Sequence, residues 1–159
     1  MTIRKKFTLL LSISISIALL IPNASVAREQ SSQEVKSPCR LQVGNAHLST
    51  NLYEKFKTRA VKVNASSICN VPQSKVTITV ELWKTGLLGN HLVTKQTTRN
   101  SGTTFPGSRV NNFNTFSKCL NLTRTNYFGV AYSKALIDGK WQFARKVLSK
   151  EIASLNCGT

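Results

Sequence analysis

Side chains that could carry out acid–base chemistry are few in this sequence. The two histidines, His47 and His91, could serve as the general base and general acid of a small secreted ribonuclease, with a lysine stabilising the charged transition state. Only six acidic residues accompany 22 basic ones, and a turn accounts for the single aspartate, Asp138. The chain contains neither a G-x-S-x-G motif nor a phosphate-binding glycine loop with its lysine. We therefore expect a non-catalytic protein, with the ribonuclease as an alternative.

Four cysteines offer a second kind of chemistry, either metal binding or disulfide formation. They are Cys39, Cys69, Cys119 and Cys157, separated by 30, 50 and 38 residues. Zinc sites usually contain a closely spaced pair of ligands, and neither C-x-x-C nor H-x-x-x-H occurs here. We expect two disulfides, no metal and no cofactor. Bridges that close loops this long stabilise a fold by about 3–4 kcal/mol each in the chain-entropy model.

The excess of basic residues indicates a binding role. The formal net charge is +16, and a charge of this size attracts polyanions such as nucleic acid, cell-wall phosphate polymers, acidic polysaccharides or anionic lipid headgroups. Lysines on an outward sheet face contact phosphate charge without reading base sequence, and an aromatic ring beside them can contact sugars or headgroups. A solvated, aggregation-resistant sheet surface would use the same lysines. The candidate binding residues are Lys62, Trp83, Lys140, Lys146 and Lys150.

The N-terminus has the pattern of a secretory signal. Residues 1–27 combine three basic residues, an apolar run of about 15 residues and small side chains before Ala27, after which we expect cleavage. This run is shorter than the ~20 residues that a helix needs to span a bilayer, so we expect no transmembrane segment. The signal contains three of the 22 basic residues and none of the six acidic ones, which leaves a formal charge of +13. The protein is expected to be secreted or extracellular.

The rest of the chain has the pattern of one β domain. Residues 28–38 form a polar leader, and residues 39–159 have the length and apolar content of a single core. Apolar and polar side chains alternate with a period of two, as in half-buried strands, although 51–54 could begin a short helix and 148–155 is compatible with one. Strands are predicted near 40–48, 59–69, 75–84, 91–97, 109–118, 130–137 and 140–147. About seven strands predict an all-β, immunoglobulin-like antiparallel β-sandwich.

The last hairpin allows a residue-by-residue prediction. Asp138-Gly139 is typical of a two-residue type I′ turn, which places residues whose numbers sum to 277 opposite each other. The more apolar of the two resulting faces is expected to point inward, with Arg145 over the ring of Tyr132 and Lys134 reaching outward. The opposing pairs of that face are Leu136–Trp141, Lys134–Phe143, Tyr132–Arg145 and Val130–Val147.

Strand order also predicts which cysteines pair. If consecutive strands run alternately up and down, Cys39 at the start of the first strand and Cys69 at the end of the second lie at one pole of the sandwich. Cys119 at the end of the fifth strand and Cys157 at the end of the seventh then lie at the other pole. We therefore predict Cys39–Cys69 and Cys119–Cys157 rather than either of the other two connectivities.

The cysteines occur at characteristic places among the strands. The run 65–69 ends at Cys69, the alternating segment 76–84 is followed by Gly86, the segment 126–131 follows Cys119, and Cys157 closes the set. Together these features resemble small secreted β-sandwich proteins of bacteria whose function is uncharacterised, with an additional N-terminal cysteine at position 39. The resemblance implies the fold and export, and it implies no activity.

Fold, charge and export together predict the general kind of function. We expect a secreted, non-catalytic β-sandwich that binds an anionic polymer or an anionic component of a cell surface. A second possibility is a secreted inhibitor or toxin that engages a protein through its loops. The best candidate loop is residues 98–109, which are rich in Asn, Gly, Ser and Thr and have Phe105-Pro106 near the tip.

Overall fold

Two antiparallel sheets pack against each other in the computed structural model, which describes residues 38–159. The signal predicted for residues 1–27, and all of the 28–38 leader except its last residue, lie outside the described residues. Within the described range the elements are β1 (Cys39–Val43), β2 (His47–Leu48), α1 (Thr50–Phe56), β3 (Ala60–Cys69), β4 (Ser74–Gly86), β5 (Gly89–Asn100), β6 (Arg109–Lys118), β7 (Asn121–Ile137), β8 (Lys140–Leu148) and β9 (Ala153–Gly158). The predicted all-β antiparallel sandwich is confirmed.

Strand β3 is the centre of the first sheet. β6 pairs with one of its edges along residues 60–68. β1 and β2 both pair with the opposite edge, at residues 65–69 and 61–62 respectively. The predicted first strand is therefore interrupted at residues 44–46, which lie between these two short pieces.

Strand β7 is the longest strand and organises the second sheet. β4 pairs with one edge of β7, whereas β9 and β8 pair in succession with the other edge. β5 pairs with the free edge of β4 and completes the sheet. β8 matches the predicted last strand, 140–147, and β9 is an additional strand after it. The described residues therefore form nine strands where the alternation predicts about seven, because the first predicted strand is divided into β1 and β2 and β9 was not predicted.

The sheets come close together at the middle of β7, where the strand presents small residues to the core; nearer its start, the ring of Tyr127 is fully buried. Gly129 marks the tightest point: a Cβ atom there would lie 2.5 Å from Cγ1 of Val63 and 3.1 Å from Cγ1 of Val43. Next along the same face of β7 is Ala131, which is fully buried. The apolar core is made largely of aliphatic side chains, namely Val61, Val63, Ala65, Val76, Ile78, Val80, Leu82, Ala131, Ala135 and Ile137.

The last hairpin begins in the predicted register and then departs from it. Five consecutive pairs, starting at Ile137–Lys140, have numbers that sum to 277. Beyond Ser133 the register shifts by one, so Ala131 lies opposite Val147 rather than opposite the preceding residue. Such a bulge adds one residue to one strand and bends it, which alternation alone does not reveal.

The prediction for which hairpin face points inward is wrong. Trp141 and Phe143, expected in the core, are 47% and 73% exposed, whereas Ile137 on the opposite face is buried. Trp141 and Phe143 pair with Leu136 and Lys134 of β7, whereas the alternate residues of that strand, Ala135 and Ile137, belong to the core. The aromatic residues of the hairpin therefore lie on the outer surface of the second sheet.

Both predicted disulfides are confirmed. Cys39–Cys69 joins directly opposed residues of β1 and β3 at the edge of the first sheet. Cys119–Cys157 joins the link between β6 and β7 to β9. No cysteine is free, so the bridges tie two of the edge strands to their sheets.

A single short helix lies between β2 and β3. The hydroxyl of Ser49 caps it by accepting a hydrogen bond from the Leu52 amide at 3.3 Å. The helix expected at 51–54 is therefore present and begins one residue earlier, whereas the helix-compatible segment 148–155 contains the start of β9 instead. Among residues 38–159, no helix is long and apolar enough to cross a membrane.

Candidate binding face on the second sheet

The outer surface of the second sheet is built on the alternation of β4. The core-facing residues of this strand are fully buried, and Thr77, Glu81 and Trp83 belong to the opposite face. Because directly opposed residues share a face, strand pairing extends this surface across β5, β7 and β8. We call it the aromatic–basic face; its aromatic and basic members are Trp83, Lys95, Arg99, Phe128, Tyr132, Lys134, Trp141, Phe143 and Lys146. Both tryptophans of the chain are among them.

Lysines and aromatic rings on this face are arranged in contacting pairs. Lys134 Nζ lies 5.0 Å from the centre of the Trp141 ring, and Lys146 Nζ lies 5.9 Å from the centre of the Trp83 ring. The ring of Trp83 also stacks on Phe128, with centroids 6.3 Å apart and planes 14° from parallel. Cation–π attraction holds an ammonium group over a ring within about 6 Å. The face therefore presents positive charge and ring surface side by side.

The third such pair corrects a sequence-based prediction. Tyr132 was expected to lie beneath Arg145, but its ring is covered by Lys95, with Nζ 5.4 Å from the ring centre. Lys95 reaches Tyr132 across the intervening strand β4, where residue Thr79 is paired with Tyr132. The shift of register after Ser133 removes Arg145 from the position opposite Tyr132.

Glu81 is the acidic residue at the centre of this face. Its carboxylate accepts hydrogen bonds from the Trp83 indole at 3.0 Å and from the Tyr132 hydroxyl at 3.3 Å, and it forms an ion pair with Lys95 at 3.4 Å. The side chain is almost buried, with the whole residue 7% exposed. Its negative charge is thus neutralised within the face, and the same contacts fix two aromatic side chains in place.

The charge of Lys95 is favoured by its neighbours. Its pKa is raised above the ordinary value of 10.5, first by a hydrogen bond with Tyr132 and then by Glu81. A raised pKa in the folded state means that the associated stabilisation is fully present below pH 10.5 and is lost as the pH rises through the higher value. Lys95 therefore remains an ammonium group at any physiological pH.

A cavity of about 400 Å³ opens at one end of the face. Its basic lining residues are Lys75, Arg99 and Lys134, and Trp141 forms part of its wall. The remaining lining is largely hydroxyl and amide groups, and the lining includes no acidic side chain. We call this site the basic cavity. Converging cations beside an exposed indole suit an anionic group that is attached to a ring.

Two of the five residues proposed from the sequence meet on this face. Trp83 and Lys146 are in cation–π contact, although they lie on β4 and β8 with β7 between them. The bulge in the last hairpin is the reason that Lys146 reaches this side. Lys140 pairs with Ile137 as predicted, but Ile137 is buried, so Lys140 does not share the side of Lys146.

The other two proposed residues lie elsewhere. Lys62 is on the outer side of the first sheet, where its ammonium group is 5.7 Å from the centre of the Phe113 ring. Partial burial lowers the pKa of Lys62 below its ordinary value. Lys150 follows β8 and lines a separate groove between β1 and β8, together with Leu148. The structure thus brings neither Lys62 nor Lys150 to the aromatic–basic face.

Several members of the face were not identified from the sequence. Lys95 and Arg99 share a side with Glu81 because of a register shift between Leu82 and Trp83 in the β4–β5 hairpin. Lys134 and Trp141 were assigned to the same strand face as each other, but that face was expected in the core. Two signals in the sequence nevertheless pointed to the face. The alternation of β4 predicts which of its side chains point outward, and the type I′ turn predicts which residue of β8 lies opposite Lys134.

The residues of the alternative functions are separated in the fold. His47 lies in β2 of the first sheet and His91 in β5 of the second. Phe105 in the loop before β6 is 82% exposed, and the loop is fastened by a hydrogen bond from the Gly107 amide to the Cys69 carbonyl at 2.7 Å. Among the described residues, no cluster of three His, Cys, Asp or Glu side chains could hold a metal ion.

Comparison with known proteins adds no family to this description. No protein-family model matches the chain, and no curated protein matches it.

Proposed function

We propose that this protein is a secreted, non-catalytic binding protein whose aromatic–basic face holds an anionic polymer or an anionic component of a cell surface. The observation that carries the proposal is the clustering on one sheet face of three lysine–aromatic pairs, Lys95–Tyr132, Lys134–Trp141 and Lys146–Trp83. Lysines that already contact rings are partly ordered before the ligand arrives, so less side-chain entropy is lost on binding.

The charge distribution supports an anionic ligand. Residues 38–159 contain 17 basic and four acidic residues. Of the acidic ones, Glu54 is in α1, Asp138 is in the last turn and Glu151 bonds to Asn45, while Glu81 is neutralised by its contacts. A surface with this imbalance attracts polyanions and accelerates their association at low ionic strength.

Export is part of the proposal. It is supported by the charge and hydropathy pattern of residues 1–27. Two disulfides in a domain of this size are typical of proteins that work in an oxidising compartment.

A salt titration with matched variants tests the binding face. The variant Arg99→Gln/Lys134→Gln/Lys146→Gln removes three charges from the face and leaves the Glu81 contacts unchanged. We expect its affinity for an anionic polymer to fall by at least about tenfold, because each lost phosphate contact removes counterion release from the binding reaction. The dependence of log K on log salt should become shallower by about 2.

The control removes the same charge at a distance. Lys55→Gln/Lys57→Gln/Lys118→Gln changes two residues at the end of α1 and one at the end of β6, all exposed. We expect this variant to lose less than about threefold in affinity. Equal losses in the two variants would show that net charge alone drives binding, and would refute the role of the face.

A protein partner is the second candidate function, and the exposed Phe105 favours it. An aromatic side chain at the tip of a fastened loop resembles the anchors that dominate protein interfaces. A pulldown from target cells separates the two candidates, because a protein partner persists after nuclease and polysaccharide digestion. If the ligand is a protein, Phe105→Ser should abolish its capture, whereas Arg99→Gln/Lys134→Gln/Lys146→Gln should leave capture unchanged.

A further inference from the structure

We propose that the polymer is a single-stranded nucleic acid, and that the basic cavity receives a phosphate group while the attached base stacks on Trp141. This inference rests on the proposed function of the aromatic–basic face and assigns the chemical class of its ligand. The cavity volume of about 400 Å³ is near the lower end of the range for small-ligand sites, about 300–1,000 Å³. It therefore suits one unit of a polymer whose other units extend along the face.

The backbone of β4 is distorted where it contributes to the cavity. Lys75 has a φ of 49°, a left-handed conformation that is unfavourable for side chains other than those of Gly, Asn and Asp. Two other non-glycine residues of the described range have a positive φ, but Lys57 ends a helix and Asp138 forms a turn. Lys75 instead lies in a strand, at the register shift between Ser74 and Thr77. Bulges of this kind redirect side chains beside functional sites. Here the redirected side chain is that of Lys75, which lines the basic cavity.

The charged groups that line the cavity are all hydrogen-bond donors. Arg99 offers a planar guanidinium that can bind two phosphate oxygens at once. Lys134 adds an ammonium group held over the Trp141 ring. Thr97 and Thr79 share a hydrogen bond of 2.9 Å, and one hydroxyl of such a pair can donate to a further acceptor. Phosphate oxygens accept hydrogen bonds and do not donate them, so this lining complements them.

The lack of a carboxylate in the cavity lining argues against a neutral sugar chain as the ligand. Sugar hydroxyls donate as well as accept, and the cations and the indole of this lining can only donate to them. The carboxylate available on this face belongs to Glu81, and it is already engaged by Trp83, Tyr132 and Lys95. The exposed rings argue equally against a bare phosphate polymer, which has no planar group to stack on them.

The length of the face fits several nucleotides. Thr77 pairs with Lys134 at the cavity end, and Trp83 pairs with Phe128 at the other end. These pairs are six residues apart along β4, about 20 Å at a rise of about 3.3 Å per residue. Single-strand binding surfaces combine cations that follow the backbone with aromatic rings that stack on bases. A duplex would bury its base faces and leave those rings without a partner.

Intrinsic fluorescence can test this proposal directly, because both tryptophans belong to the face. The mature protein is titrated with a 20-nucleotide oligothymidylate, a 20-base-pair duplex, inorganic polyphosphate and a sulfated polysaccharide at two salt concentrations. We expect the oligothymidylate to bind at least tenfold more tightly than the others and to quench the emission. Base–aromatic stacking is worth about 5- to 150-fold in Kd per base.

Two variants locate the bound nucleotide in the basic cavity. Trp141→Ala should weaken oligothymidylate binding by at least about fivefold, and Trp141→Phe should restore most of the loss by keeping an aromatic ring. Lys75→Gln should weaken binding about two- to fivefold and reduce the salt slope by about 0.7. The exposed Lys55→Gln serves as the control and should leave the slope within about 0.2 of wild type. Far-UV circular dichroism verifies that each variant is folded.

The outcomes distinguish this inference from the proposed function. If all polyanions bind equally and Arg99→Gln/Lys134→Gln/Lys146→Gln weakens the binding of each, the proposed binding face is supported and the nucleic-acid assignment is refuted. Tighter binding of the sulfated polysaccharide or of the duplex refutes the assignment in the same way. If no polyanion binds at low salt, both proposals fail. Binding of oligothymidylate that Trp141→Ala and Lys75→Gln leave unchanged refutes the role of the cavity.

Discussion

Replacing Gly129 by alanine tests the close approach of the two sheets at the core face of β7. The added Cβ would lie 2.5 Å from Cγ1 and 3.2 Å from Cγ2 of Val63, and 3.1 Å from Cγ1 of Val43. A Cβ atom essentially never lies within 3.0 Å of a non-bonded carbon atom, so the sheets or the valine must move. Val63 is fully buried. Overpacking of this kind costs about 1–3 kcal/mol.

Urea denaturation with the disulfides intact measures the effect. We expect Gly129→Ala to lower the free energy of unfolding by about 1–3 kcal/mol, with the m-value unchanged. The matched control is Gly44→Ala, whose added Cβ would make an ordinary contact of 3.5 Å with the Asn64 carbonyl oxygen. We expect the control to change stability by less than about 0.5 kcal/mol.

A double-mutant cycle identifies the valine as the cause. Val63→Ala alone removes buried methyl groups and should cost about 2–3 kcal/mol. In Gly129→Ala/Val63→Ala the new methyl group occupies the space that the valine leaves, so the two losses should not add and the coupling should exceed about 1 kcal/mol. Additive losses, or a Gly129→Ala variant as stable as wild type, would refute the argument that the sheet spacing selects small residues on β7.

Three further predictions concern the bridges, the core and the binding face. The double variant Cys119→Ala/Cys157→Ala opens a bridge of sequence separation 38 and should cost about 3–4 kcal/mol in the same denaturation assay. Asn112 is fully buried and its side-chain amide donates to the main-chain carbonyls of two strands of the second sheet, so Asn112→Ala should cost about 1–3 kcal/mol. Tyr132→Phe should lower the pKa of Lys95 toward its ordinary value of 10.5, followed by NMR titration of the lysine side chain; an unchanged value would contradict the assigned cause.

Part of the aromatic–basic face could be predicted from the sequence. The alternation in β4 correctly placed Trp83 on the outward side, and the turn at Asp138 correctly set the first five pairs of the last hairpin. Lys146 was proposed as an outward lysine, and it does contact Trp83. The prediction of the inward face failed in the last hairpin, where both faces of a strand carry apolar residues. Alternation then separates the two faces but does not show which of them faces the core.

The sequence by itself determined the β class and the cysteine pairing. These follow from local periodicity and from the order of the strands, which any antiparallel sandwich of this chain must respect. Only the tertiary structure decided that the rings of Trp141 and Phe143 lie outside. That choice depends on which face of β7 packs against the first sheet, and this face carries Ala131, Ala135 and Ile137. The packing joins segments far apart in the chain, which local alternation does not reveal.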